Sequence, residues 1–118
     1  MQAIPFPIAP LENAEWTPVA PEKIISGQPH HAVQVLYTSK TEELMAGIYE
    51  CTSGKWKASY TEDEFITLLE GHLRLIHDNG AVQEFKAPDS FLIPSGFSGV
   101  WEAVSKIRKI FVIYERQK

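Results

Sequence analysis

Cysteine is nearly absent from this 118-residue chain, where Cys51 stands alone. A lone cysteine excludes an internal disulfide and a cysteine-built zinc cluster. It fits a reducing compartment, so a cytoplasmic location is the expectation. Long apolar runs are lacking too. No stretch approaches the ~20 residues needed to span a bilayer, and no membrane partner is expected. The opening ten residues have no basic segment and are broken by prolines, unlike a secretory leader. Positive charge is scarce, with 11 Lys and Arg against 15 Asp and Glu. Phosphate recognition wants a basic face, so nucleic acid is not an expected partner. Lys106, Arg108 and Lys109 form one basic trio, which reads as a solvated strand edge. The chain also lacks a phosphate-cradling glycine loop, a Gly-x-Ser-x-Gly elbow and any internal repeat. No long window shows the 3.6-residue period of a helix.

What is present is alternation with a period of two. Trp56, Ala58 and Tyr60 fall on one side, while Lys55, Lys57 and Ser59 fall on the other. That is the pattern of a strand with one buried and one wet face. After the acidic turn at Thr61, Glu62 and Asp63, a second run begins at Glu64. There Glu64 shares parity with Ile66 and Leu68, so a carboxylate faces the core side. An inward charge is costly and needs a reason. Further strands are expected over 31–38, 44–52, 72–77, 81–86, 91–93, 99–104 and 107–114. Asn79-Gly80 predicts a type I′ hairpin turn. The last run is apolar on both faces, with Ile107, Phe111 and Ile113 against Ile110, Val112 and Tyr114. Such a strand is covered on both sides. One face should meet the core, the other the N-terminal arm or a second subunit. About ten short, evenly spaced strands predict an all-β barrel or sandwich. Residues 1–23 hold five prolines yet keep Ile4, Phe6, Ile8, Leu11 and Trp16. They predict an extended arm lying on the domain or on a partner, or covering a pocket mouth, with the barrel domain over 24–118.

Several pieces together resemble a known family. They are Gly47-Ile48-Tyr49-Glu50-Cys51-Thr52, Leu68-Leu69-Glu70-Gly71 and Ile93-Pro94-Ser95-Gly96-Phe97. Over roughly 26–115 the chain resembles a small single-domain cupin, and more narrowly the (S)-ureidoglycine aminohydrolase-like cupins, kin to ethanolamine-utilisation cupins. The resemblance implies an RmlC-like jelly-roll β-barrel, open at one end and often a homodimer. Cupins carry a first motif, G-x5-H-x-H-x3/4-E-x6-G. Counted back from Gly71, its glutamate position is Glu64. Its histidine positions fall on Ala58 and Tyr60, or on Lys57 and Ser59. The opening glycine is out of register with Gly54. In the second motif, G-x5-P-x-G-x2-H-x3-N, the Pro-x-Gly is Pro94-Ser95-Gly96. Its opening glycine, histidine and asparagine positions are Pro88, Gly99 and Ala103. A cupin metal takes about four protein ligands, usually with imidazoles among them. With the histidines replaced, neither a metal nor another cofactor is expected.

The inward positions then outline an aromatic-walled pocket. Glu64 and Tyr60 are the candidate catalytic residues, and Trp56, Ala58, Gly99 and Trp101 the candidate ligand-binding ones. An acid among rings loses hydration, which suits it to shuttle a proton or to hold a cation. Glu64 could equally be a former ligand position bonded to Tyr60, and the aromatics plain core. An atypical metal site from Glu64, His30 or His31, and His77 is a remoter alternative. Cys51 reads as buried and inert. Two functions follow: a module binding a small metabolite in its barrel, or a small-molecule enzyme using Glu64 as acid or base.

Overall fold

The computed structural model describes residues 2–116. Met1, Gln117 and Lys118, at the outer ends of the expected arm and barrel, lie outside the described residues. Eleven strands follow in order: β1 (Thr17–Pro18), β2 (Ile24–Ser26), β3 (His30–Thr38), β4 (Leu44–Cys51), β5 (Gly54–Ser59), β6 (Asp63–Glu70), β7 (His72–His77), β8 (Val82–Lys86), β9 (Ser90–Ile93), β10 (Ser98–Ala103) and β11 (Ile107–Tyr114). A single 3-10 turn, Pro21–Lys23, separates β1 from β2. The described residues hold no helix long and apolar enough to cross a membrane.

The strands form two antiparallel sheets, one in the order β1-β3-β4-β11-β6-β9 and the other β2-β5-β10-β7-β8. Alternation decides which side chains enter the space between them. Along β6, Glu64, Ile66 and Leu68 are buried while Phe65 stays exposed. Along β7, Leu73 and Leu75 do the same. Ile66, Leu68, Leu73, Leu75, Ile93, Trp101 and Ile107 belong to one apolar cluster between the sheets. Each such side chain contributes about 1.5–3 kcal/mol by leaving water. This all-β double sheet is the barrel that the alternation predicts.

β11 lies between β4 and β6, with partners along its whole length on both sides. This corrects the reading of Lys106, Arg108 and Lys109 as a solvated edge. Lys106 is half-exposed, but Lys109 shares parity with Ile107 and Phe111 and is buried inside the barrel. The Arg108 side chain is 13% exposed and lies 3.6 Å from Glu70.

The hairpin between β7 and β8 is also corrected. Gly80 has φ +90°, while Asn79 stays out of the positive region. The Gly80 amide donates to the His77 carbonyl at 2.8 Å, and the His77 amide to the Ala81 carbonyl at 2.8 Å. The loop is thus a turn over Asp78 and Asn79 closed by a left-handed glycine, the three-residue hairpin form rather than the type I′ one.

Ahead of β1, the chain is largely exposed, with Ile8 71% accessible. It is nevertheless fastened. The Leu11 amide donates to Glu50 Oε2 at 2.6 Å, and Trp16 lies beneath the Lys106 ammonium at 5.6 Å. Glu50 is fully buried and also holds Lys106 at 3.5 Å. β1 then pairs with β3, Thr17 opposite His31.

Candidate functional site

A cavity of about 710 Å³ lies between the sheets, lined by residues of both. Its lining includes an ion pair. Lys109 Nζ donates to Glu64 Oε2 at 2.7 Å, with both side chains about 5% exposed. In the β11–β6 register Lys109 stands opposite Leu68 and Glu64 opposite Ile113. The two meet only because their side chains extend toward each other along the sheet. Two ring faces complete the seat of the ammonium: Trp101 at 4.5 Å and Tyr49 at 4.7 Å. A desolvated ammonium against aromatic faces gains about 2 kcal/mol. Burial, and then the negative charge of Glu64, hold the Tyr60 phenol well above its usual range. Burial likewise raises Tyr49.

Five of the six sequence-derived site residues line this one cavity: Trp56, Ala58, Tyr60, Glu64 and Trp101. Trp56 and Trp101 are register partners on β5 and β10, stacked at 6.2 Å and 27°. The Trp101 indole N–H is buried and has no hydrogen-bond partner among the described residues. Gly99 is elsewhere. It lines a smaller recess with Lys57 and Asp78, and the space over its Cα is taken by β7. A Cβ there would stand 2.2 Å from the Ile76 carbonyl oxygen.

Lys109 was not among the candidates, and His31 stood only in the alternative metal site with Glu64 and His77. Lys109 had the inward parity that singled out Glu64, hidden by its basic neighbours. His31 enters from β3, and its Nδ1 lies 2.9 Å from the Tyr49 hydroxyl. Burial, and then His30, lower its pKa from 6.5. His30 lies beside the Gln28 carbonyl and His77 beside Gln83, so neither joins Glu64 at the cavity. Cys51 is fully buried, and burial pushes its thiol up to about 11. It stays protonated at neutral pH and is no nucleophile.

The metal that the cupin barrel implies does not fit these residues. Among the described residues no group of three or more His, Cys, Asp or Glu could hold an ion. Glu64, the surviving ligand position, already has an ammonium 2.7 Å away. A divalent cation there would meet like charge at contact distance and would have to strip Glu64 from its partner.

Comparison with known proteins agrees with the architecture. A protein of unknown function from Pseudomonas syringae superposes with TM-score 0.81 at 20% identity, over 92% of this chain and 46% of its own length. This chain thus spans less than half of that protein. A putative ethanolamine utilization protein Q from Salmonella typhimurium gives 0.66 at 21% identity, over 92% of this chain and all of its own. The EutQ protein of Clostridium difficile gives 0.64 at 21%, over 74% and 69%. At such identities the likeness is one of fold. No curated protein matches. The model of the EutQ-like cupin domain matches residues 38–111, well over half of the 118 residues, and the chain therefore belongs to the EutQ-like cupin domain family.

Proposed function

We propose that this cupin domain binds a small molecule in the cavity between its sheets. The observation that carries the reading is the cavity itself. Its volume of about 710 Å³ lies inside the range of small-molecule sites. Its lining combines apolar and aromatic side chains such as Val33, Val35, Trp56 and Phe111 with polar ones such as His31, Tyr60 and Glu64, so that apolar contact and a few polar groups can together orient a ligand. The alternative of an enzyme, including an aminohydrolase of the (S)-ureidoglycine type, rests on Glu64 trading protons. Glu64 is instead engaged by Lys109 at 2.7 Å, which favours a structural ion pair over an acid or base awaiting substrate.

A metabolite screen read by melting temperature and tryptophan fluorescence tests the proposal, since Trp56 and Trp101 line the cavity. A true ligand at a hundredfold excess over its Kd stabilises the fold by about 2.7 kcal/mol and perturbs the emission. Val35 also lines the cavity and is 45% exposed, so Val35→Trp should fill the space without disturbing the core. Binding should vanish in that variant while its melting stays cooperative. Ligand binding that is indifferent to Val35→Trp would place the site elsewhere and end this reading.

A further inference from the structure

Not every charge lining the cavity is balanced. Glu15, brought by the arm, and Glu62, in the turn between β5 and β6, both line it. Among the described residues neither has an ion-pair or hydrogen-bond partner. The one lysine of the lining is already committed. An ammonium offers three donors and no acceptor. Lys109 directs itself to one carboxylate and two ring faces. An arriving anion therefore finds no free cation, and it meets two open carboxylates. An arriving cation finds two carboxylates that no side chain among the described residues neutralises.

A second observation points the same way. The barrel already holds one ammonium, the tethered Nζ of Lys109, in a seat made of a carboxylate and the faces of Tyr49 and Trp101. The cavity's own side chains thus solvate an ammonium. The same cavity is lined by exposed apolar surface: Val33 is 56% exposed, Val35 45% and Met45 36%.

We propose that the ligand is an organic ammonium, an alkyl- or arylalkylamine, with its charge met by Glu15 and Glu62 and its apolar body against Val33, Val35 and Trp56. This assignment of ligand class rests on the cavity-binding reading above. Two shape-matched probe series test it by titration calorimetry on the full chain. One is 2-phenylethylamine, 2-phenylethanol and 3-phenylpropionate; the other is hexylamine, hexanol and hexanoate. Within a series the amine should bind about tenfold tighter than the alcohol, since one charge-assisted contact supplies the ~1.4 kcal/mol that a decade requires. The carboxylate should bind weakest. Salt should weaken the amine and leave the alcohol unchanged. Glu15 is exposed and Glu62 lies in a turn, so Glu15→Gln with Glu62→Gln should fold normally, as melting will verify. In that double variant the amine should fall to the alcohol's affinity. Equal affinity of amine and alcohol, tightest binding by the carboxylate, or an amine preference that survives the double variant would each overturn the assignment. If the probes fail but a neutral or anionic metabolite binds in a Val35→Trp-sensitive way, the ligand class falls and the cavity reading stands. If nothing binds in that way, both fall.

Discussion

Glu64 and Lys109 illustrate how a charge becomes tolerable inside a barrel. Each alone would be an uncompensated ion in apolar surroundings. Together, at 2.7 Å, with two rings against the ammonium, they form a neutral unit. Such a unit adds little net stability, because desolvation opposes the attraction, but breaking it is costly. Lys109→Met should therefore lower unfolding free energy by about 3–5 kcal/mol in urea denaturation. Adding Glu64→Gln should recover most of that loss, since no lone charge then remains. A single-variant cost under about 1 kcal/mol would mean that water or ions reach Glu64 freely. Glu64 was legible in the sequence because parity with Ile66 and Leu68 is a local property. Lys109 obeys the same parity with Ile107 and Phe111. It was masked by Lys106 and Arg108, whose presence suggested a wet edge to a strand that in fact has a neighbour on each side.

At the level of the element, β7 and β11 run over the residues that alternation and turn chemistry indicate. Turn detail was less legible. Asn79-Gly80 supports more than one hairpin, and the choice depends on how β7 and β8 pair. Gly99 shows a similar limit. The motif comparison placed it where a ligand histidine would stand and hinted at open space. The packing of β10 beside β7 instead brings backbone to that point. Gly99→Ala should destabilise the fold by about 1–3 kcal/mol, the usual range for overpacking, measured by chemical denaturation. A neutral effect would show that β7 yields readily and that the recess is soft.

For the whole molecule, His31 links cavity chemistry to global stability. Its folded pKa lies below the 6.5 it has when free, through burial first and His30 second. Above both values neither state binds the proton and His31 has no effect. As pH falls through 6.5, the unfolded chain protonates first, so stability declines until the folded pKa is passed. Between about pH 7 and about pH 5, the wild type should lose more melting temperature than His31→Gln, whose amide can still bond the Tyr49 hydroxyl. Identical slopes for the two proteins would remove His31 from the acid sensitivity of the fold. Acidic titrations elsewhere act equally in both, so the difference isolates this ring.

The sequence by itself determined the all-β architecture, the positions of β3 to β11 though not of β1 and β2, the inward carboxylate at Glu64 and the loss of the histidine ligand positions. Those features depend on alternation, turn residues and spacing, which act over a few residues. Only the tertiary structure decided what Glu64 faces. Its partner lies 45 residues away and arrives because β11 inserts between β4 and β6. Tertiary structure likewise brought Glu15 from the arm to the cavity lining and His31 to Tyr49. Pairing between distant strands follows from the global burial of two sheets against each other, and no local pattern encodes which strand will be the neighbour. The carboxylate that parity exposed thus acquired its meaning, as the counter-ion of a buried ammonium where a cupin would hold a metal, from contacts that no short window of sequence contains.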